Sequence, residues 1–370
     1  MIYNYKENAI KNKEGSFKPM REEKEDRKKK NKKKKKHIFL KVVLILLAII
    51  AIFAGVILGY GYSKLNQIKH DDDFDVNQVE VNEGVAVAKG YRNILLLGVD
   101  SRENEYTHTL SDSIMIISID QDTNKVKIAS VYRDSYLKVG NKFDKITHAF
   151  GYGGPAASLS AINTNLDLDI KEYVAINFDV VIDVVNAVGG VEVELSSEEV
   201  KYINKYIKEI NNLTDDKTTQ IKKAGTYNLD GAQALAYSRI RYTAGGDYKR
   251  TERQREVLDK AFAKVKKMNL LQLNNLATKV LDEVSTNIPS TEILGLLSQV
   301  ASYDIEEATG WPFEGGIRGY QPDAVWYGAP VNLENQVKLL HKFLFNEEEY
   351  EVSESVKKIS NDLIKKTGYK

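Results

Sequence analysis

The chain has no cysteine among its 370 residues, which removes disulfides, cysteine-ligated metals and thiol nucleophiles in one step. Such a composition fits an exported bacterial protein. The five histidines, His37, His70, His108, His148 and His341, fall at no metal-ligand spacing, and no Gly-x-Ser-x-Gly elbow occurs. Neither a histidine metal centre nor a nucleophile elbow is therefore on offer. There is no internal repeat. Arginine is scarce too, at eleven of the 53 basic residues, and five of those eleven sit in one stretch, YSRIRYTAGGDYKRTERQR at 237–255.

That concentration carries chemical information. A guanidinium is a planar fork of donors that grips phosphate oxygens two at a time, so arginines gathered around a Gly-Gly turn point to a phosphate or pyrophosphate clamp; a solvated basic helix face is the plainer reading. On extended backbone Arg239 and Arg241, two residues apart, project to the same side. A helix starting near Asp247 groups Arg250, Arg253 and Gln254 on one face and turns Arg255 about 140° away, as a surface or structural residue. Gly245-Gly246 lets a helix N-terminus approach an anion closely. Asp247 has two open readings, a helix N-cap and a base or orienting carboxylate.

The overall charge of +1 hides a division. Residues 1–36 carry fifteen Lys/Arg against six Asp/Glu, a net +9, and leave the rest of the chain near −8. The basic tail, 1–37, ends in KKKNKKKKK and abuts an apolar stretch, 38–62, whose uncharged run 42–62 is long enough for a transmembrane helix. It lacks the short apolar region and small-residue cleavage site of a signal peptide, and Tyr60 and Tyr62 suit the interface. Lysines on its N-terminal side put the tail in the cytoplasm and everything after about residue 62 outside. Beside such a helix the lysine run serves topology and anionic lipid rather than nucleic acid. Residues 63–90 are polar, include Asp71-Asp72-Asp73, and read as a stalk.

The folded domain is expected over 91–345, as an α/β domain. NILLLGV (93–99), SIMIISI (113–119) and VKIASV (126–131) are short apolar runs of strand length, and they bring Asp100 and Arg133 to strand ends, where open α/β sheets place their ligands. Asp100 and Asp112, from adjacent strands, can jointly hold Mg²⁺, which asks for one or two carboxylates plus substrate phosphates; each can equally cap a turn. Helices are predicted near 155–166, 179–188, up to about 211, 230–237, 257–284, 291–303 and 333–345, with an alternating strand VEVEL at 191–195. His148 reads as a hydrogen-bonded structural residue, Gly151 to Gly154 as a turn, and 346–370 as a charged peripheral tail.

Together NILLLGVDSR, SDSI, SVYRD, DKITHAFGYGG, AVGGVEV, LDGAQALAYSRIR and GDYKRTERQR, in this order over about 91–265, resemble the LytR-CpsA-Psr family of Gram-positive bacteria. The resemblance implies a central mixed β-sheet flanked by helices behind one N-terminal transmembrane helix. It further implies a membrane-anchored phosphotransferase, working outside the cell. The enzyme would move an anionic glycopolymer, of wall teichoic acid or capsular polysaccharide type, from undecaprenyl pyrophosphate to peptidoglycan with Mg²⁺. On that pattern Asp100 and Asp112 serve the metal, Arg133, Arg239, Arg241 and Arg250 the pyrophosphate, and Asp247 and Gln254 match functional positions. Asp247 or Asp100 is the candidate base for the attacking C6 hydroxyl of a muramic acid residue, and the apolar helices after Arg255 are candidate walls for the prenyl chain. Two departures stand out: Leu110 replaces a common arginine, and Tyr132 a common proline, with an effect expected on backbone shape alone. A lipid-pyrophosphate hydrolase and a non-catalytic polyprenyl-lipid binder are the alternatives. The binder does not demand both aspartates.

Overall fold

The computed structural model describes residues 9–11, 17–19, 69–70, 74–85, 88–99, 109–213, 217–280 and 283–370. The chain divides into two compact units, Met1–Gly61 and Tyr62–Lys370. In the first, β1 (Ala9–Lys11) and β2 (Phe17–Pro19) form a short antiparallel ladder. The expected membrane span at 38–62 lies outside the described residues, as does Asp100. Among the described residues no helix is long and apolar enough to cross a membrane.

The second unit is built on a seven-stranded mixed sheet. Its strands are β3 (Lys69–His70), β4 (Tyr91–Val99), β5 (Ser111–Asp120), β6 (Lys125–Val131), β9 (Glu172–Ile176), β12 (Ser285–Thr286) and β13 (Asp304–Trp311), in the order β13-β6-β5-β4-β9-β12-β3. Two antiparallel hairpins, β7 (Tyr136–Val139) with β8 (Lys142–Lys145) and β14 (Ile317–Tyr320) with β15 (Tyr327–Pro330), lie outside it, as does the pair β10 (Val191–Leu195) and β11 (Gly225–Leu229). The three apolar runs are the central strands β4, β5 and β6, and they are antiparallel neighbours rather than parallel ones. In such a meander the end of β4, the start of β5 and the end of β6 share one edge, so the chemistry still collects there. These strands are apolar on both faces because both faces are covered.

Leu95, Leu97 and Ile116 face a large core completed by Phe150 and Ile162 of α1 (His148–Leu166) and by Trp311. Ile94, Met115 and Ile128 face the opposite layer, where Leu258 and Phe262 of a later helix close over them. A separate core joins β10 and β11 with α2 (Phe178–Ala187), α3 (Ser197–Leu213) and α4 (Gly231–Ser238), and takes in Val257 and Ala261 of the helix Gly246–Val265. Asp230 and Gln233 form a capping box that starts α4. Gly231 lets α4 touch α2, since a Cβ there would sit 2.2 Å from the Ile182 carbonyl oxygen. The remaining helices are α5 (Gly246–Val265), α6 (Leu270–Val280), α7 (Ser290–Ser298), α8 (Leu333–Phe345) and α9 (Glu354–Thr367).

Several expectations are corrected. The helix predicted over 257–284 is two helices, α5 and α6, and the α1 segment starts at His148 with a kink at Gly153 and Gly154 in place of a turn. The polar stretch 63–90 is not purely a stalk: the Phe74 ring packs 5.3 Å from that of Tyr173, and Asn82 donates to Asp167 Oδ1 at 2.6 Å. The charged tail holds α9, whose Val356, Ile359 and Leu363 are buried in the main core. Its charges lie on the other helix face, which is why charge density alone disguised an amphipathic helix.

Candidate active site

The site is assembled at the shared edge of β4, β5 and β6. The β4–β5 register slips between Gly98 and Val99, and an irregularity of this kind re-aims the side chains beside it. Asp112, second residue of β5, carries its carboxylate into the edge. Arg133 follows β6, with its backbone fixed by the Thr147 amide donating to its carbonyl at 3.0 Å. Arg241 comes from the link between α4 and α5, and Arg250 from the first turns of α5. That helix begins in the left-handed region at Gly245 and Gly246, φ 92° and 50°, conformations that glycine adopts without strain.

Three guanidiniums converge on Asp112. Arg133 Nη1 donates to Oδ1, while Arg250 Nη2 and Arg241 Nη2 donate to Oδ2 at 3.0 and 3.4 Å. Burial works to raise the Asp112 pKa, but Arg250, Arg133 and Arg241 outweigh it and hold the carboxyl below its ordinary value. Behind the arginines two carboxyls, Asp134 and Asp247, lie close enough to shift each other's titration. Burial and the neighbouring Asp134 push Asp247 up. Asp134 goes down despite its burial, because Asp247, Lys145, whose Nζ lies 2.7 Å away, and Arg133 favour its ionised form. The two shifts run in opposite directions, so Asp247 is the member of the pair that takes a proton more readily. Among the described residues Arg133, Arg241, Arg250 and Lys145 bring four positive charges to the carboxyls of Asp112, Asp134 and Asp247, which leaves positive charge over for an anion.

Several buried polar atoms here have no hydrogen-bond partner among the described residues: Arg250 Nε, Gln254 Oε1 and Asp247 Oδ1. The guanidinium nitrogens of Arg250 and Arg241 stand 3.7 and 3.9 Å from Asp247 Oδ1, beyond hydrogen-bond distance. Buried polar atoms are nearly always satisfied, so their concentration at one spot marks it as built for a polar ligand. Next to it opens a cavity of about 170 Å³ whose walls are valines and leucines of α2, α4 and α5, with Asp112, Arg239, Arg250 and Gln254 at its rim. Val257, Leu258 and Ala261 line it, so the helix after Arg255 does supply a wall, opposite Val180, Val181 and Val184 of α2.

The predicted residues thus divide. Asp112, Arg133, Arg241, Arg250 and Asp247 come together, with Gln254 beside them. Asp247 is not the N-cap, a position held by Gly245. Arg239 does not project alongside Arg241: it caps α4 in a helical conformation, its guanidinium over the Phe178 and Tyr206 rings at 5.3 and 5.2 Å. Arg253, on the predicted face, turns instead to Glu199, the Ile240 carbonyl and Thr243. Arg255 is half-buried beside Tyr132. Tyr132 acts through its side chain, not backbone shape alone: its ring meets Tyr248 edge-on at 4.6 Å, and burial lifts its pKa to about 12. Asp134 and Lys145 went unassigned, although Asp134 adjoins Arg133 in the SVYRD motif. Leu110 leaves the three-guanidinium cluster intact.

Magnesium fits on limited terms. Asp112 is an ionised hard-oxygen donor, although its oxygens are engaged by arginine, and among the described residues no group of three His, Cys, Asp or Glu is placed to hold a metal. Mg²⁺ accepts one or two carboxylates when substrate phosphates complete its shell. His148 is bonded to Asp144 at 2.9 Å, as a structural residue.

The sheet, the edge-on arginine cluster and the apolar cavity define a class, and sequence comparison names it. The LytR_cpsA_psr family model matches residues 56–329, and the chain belongs to that family. Among curated relatives, the polyisoprenyl-teichoic acid–peptidoglycan teichoic acid transferase TagT of Bacillus subtilis (strain 168) is 29% identical over 301 residues, covering 78% of this chain and 88% of the relative. A solved structure of TagT bound to LIIa-WTA superposes with a TM-score of 0.58 at 26% identity, over 76% of this chain and 98% of that one. Another, YwtF (TagT) with bound octaprenyl pyrophosphate lipid, gives 0.52 at 26%, over 72% and 99%.

Proposed function

We propose that this protein is a phosphotransferase that moves an anionic glycopolymer, of wall teichoic acid or capsular polysaccharide type, from undecaprenyl pyrophosphate to peptidoglycan. The observation that carries this reading is the convergence of Arg133, Arg241 and Arg250 on one carboxylate at the rim of a valine-lined cavity. A prenyl pyrophosphate has the same two halves, an anionic head and a branched hydrocarbon tail. Its head competes with Asp112 for the guanidiniums and satisfies Arg250 Nε, and its tail enters the cavity. Each buried isoprenyl methylene contributes about 0.8 kcal/mol.

Transfer then follows from charge and position. The acceptor hydroxyl attacks the phosphorus that bears the glycopolymer; a new oxygen–phosphorus bond forms, and the bond to the lipid phosphate breaks. The arginines hold the head and stabilise the negative charge that develops on it. Asp247, whose pKa burial and Asp134 raise, accepts the hydroxyl proton in its ionised form. Arg239 and Gln254 sit at the cavity rim, where they contact the head or the first isoprene unit. Mg²⁺, held by Asp112 with Asp100, would supply further neutralisation of the phosphate oxygens. Relatives named for teichoic acid transfer to peptidoglycan, and a neighbour holding octaprenyl pyrophosphate, support the assignment. The basic tail and the apolar run 38–62 support a single membrane anchor, a cytoplasmic N-terminus and an extracellular catalytic domain.

The test is incubation of the full chain in detergent with a lipid-linked glycopolymer, Mg²⁺ and a peptidoglycan oligomer. The expected product is a covalent glycopolymer–peptidoglycan adduct. Phosphate release at a rate indifferent to added peptidoglycan would instead identify a hydrolase.

A further inference from the structure

A second pocket, of about 360 Å³, shares no lining residue with the apolar cavity. It is lined by Asp134 and Asp247 together with Tyr132, Tyr248 and Trp326. Trp326 comes from the β14–β15 hairpin and is 43% exposed; Tyr248 is 37% exposed. The indole is seated on the hairpin's own backbone. A Cβ at Gly319 would lie 2.8 Å from Trp326 Nε1, and one at Gly328 would lie 3.4 Å from the ring. The Gly328 amide donates to the Asp134 carbonyl at 2.9 Å, which ties this hairpin to the carboxyl pair. The hairpin thus sets a large aromatic ring, open to solvent, in one pocket with a buried carboxyl, Asp134, and a half-buried one, Asp247.

The chemistry of this pocket selects its occupant. Two carboxyls disfavour an anion. A cation finds little unbalanced charge, because Asp134 is met by Lys145 at 2.7 Å and Arg133 at 3.5 Å, and Asp247 by Arg250 at 3.7 Å and Arg241 at 3.9 Å. A hydrocarbon would leave Asp247 Oδ1, a buried atom without a hydrogen-bond partner among the described residues, still unsatisfied. A neutral ring with one apolar C–H face and several hydroxyls meets every condition, since the face lies on an aromatic ring and a hydroxyl reaches the carboxyl. We infer that this pocket is the acceptor subsite, and that it takes a pyranose ring of a glycan, laid on Trp326 and Tyr248 with a hydroxyl turned to Asp247.

This inference rests on the transfer reading above and adds to it where the acceptor lies. Asp247 of this pocket and Arg250 of the apolar cavity stand 3.7 Å apart, Oδ1 to Nη1. A hydroxyl at Asp247 therefore adjoins the place of the arginine-bound phosphate. In transfer that hydroxyl's oxygen bonds to phosphorus, its proton passes to the ionised carboxylate of Asp247, and the lipid phosphate departs on the cavity side.

The test uses the full chain in detergent with Trp326→Ala, Tyr248→Ala and Trp326→Phe. Each alanine variant is expected to raise KM for a soluble peptidoglycan oligosaccharide about ten-fold, the loss usual for a well-packed aromatic anchor, with kcat and the Kd of octaprenyl pyrophosphate little changed. Trp326→Phe is expected to restore most of the loss. An acceptor KM unchanged in both alanine variants overturns the subsite. Saturation-transfer NMR with the same oligosaccharide separates this result from failure of the transfer reading. Binding by the native protein that Trp326→Ala abolishes sustains the subsite even if no adduct forms. Binding unaffected by both substitutions, no binding at all, or tighter binding of tetramethylammonium than of the sugar overturns it.

Discussion

Arg250 and Arg253 stand one helical turn apart on α5 and are 3% and 5% exposed, yet they belong to different regions with different purposes. Around Arg253 the donors are spent on protein: Glu199 at 2.9 and 3.0 Å, the Ile240 carbonyl at 3.1 Å and Thr243 Oγ1 at 2.8 Å. Around Arg250 one nitrogen reaches Asp112, Nε has no partner among the described residues, and a cavity opens alongside. Burial does not separate a structural arginine from a ligand-binding one. Unspent hydrogen-bonding capacity beside open space does.

The largest effect expected is from Arg250→Ala. Truncating one partner of a buried, charge-assisted cluster costs about 2–5 kcal/mol, so the affinity for octaprenyl pyrophosphate should fall by about two orders of magnitude or more by titration calorimetry. Arg253→Ala is its mirror. It unpairs Glu199 and frees the Thr243 to Gly246 loop, and should lower unfolding stability in urea by about 2–4 kcal/mol while changing lipid affinity little. If Arg253→Ala abolished binding and left stability intact, the distinction between the two regions would be lost.

How much of this contrast is legible in the sequence can be seen on α5 itself. Helical periodicity groups Arg250, Arg253 and Gln254 correctly. It cannot say that α3 brings Glu199 against one of them and β5 brings Asp112 against another, because both partners lie far away in the chain. The apolar strands β4, β5 and β6 were legible because burial on both faces writes itself as a continuous apolar run. Strand β11 was not, since GTYNL has only one buried residue, Leu229, and becomes a strand by pairing with VEVEL some thirty residues earlier. β13 escaped for a similar reason: DIEEATGW is mostly exposed at the sheet edge and is made by its parallel neighbour β6. Asp134 and Trp326 required the tertiary fold, because the hairpin that joins them follows in sequence almost two hundred residues after Asp134.

Two smaller effects sharpen the comparison from the ligand's side. Val181→Trp fills the cavity without touching the arginines, so it should weaken octaprenyl pyrophosphate binding about ten-fold, as overpacking an apolar site costs ~1–3 kcal/mol. Inorganic pyrophosphate, which has no tail, should bind this variant as it binds the native protein. The smallest effect concerns pH. Asp247 must be ionised to accept a proton, and burial together with Asp134 raises its pKa, so the rate should rise with pH through a limb above the ordinary carboxylate range. Asp134→Asn removes the like charge, lowers the Asp247 pKa and should move that limb toward acid in a kcat against pH profile. A limb that moves toward base, or stays in place, contradicts the assignment of Asp247 as the base whose pKa Asp134 raises.

The central claim is that the arginines on Asp112 hold the pyrophosphate of a lipid-linked donor during transfer. Its most direct measurement is adduct formation by the full chain with a lipid-linked glycopolymer and a peptidoglycan oligomer, native protein beside Arg250→Ala, in the presence of Mg²⁺. The account predicts a covalent adduct from the native protein and a loss of at least a hundred-fold in rate from Arg250→Ala, with the variant still folded. Equal rates from the two proteins would contradict it.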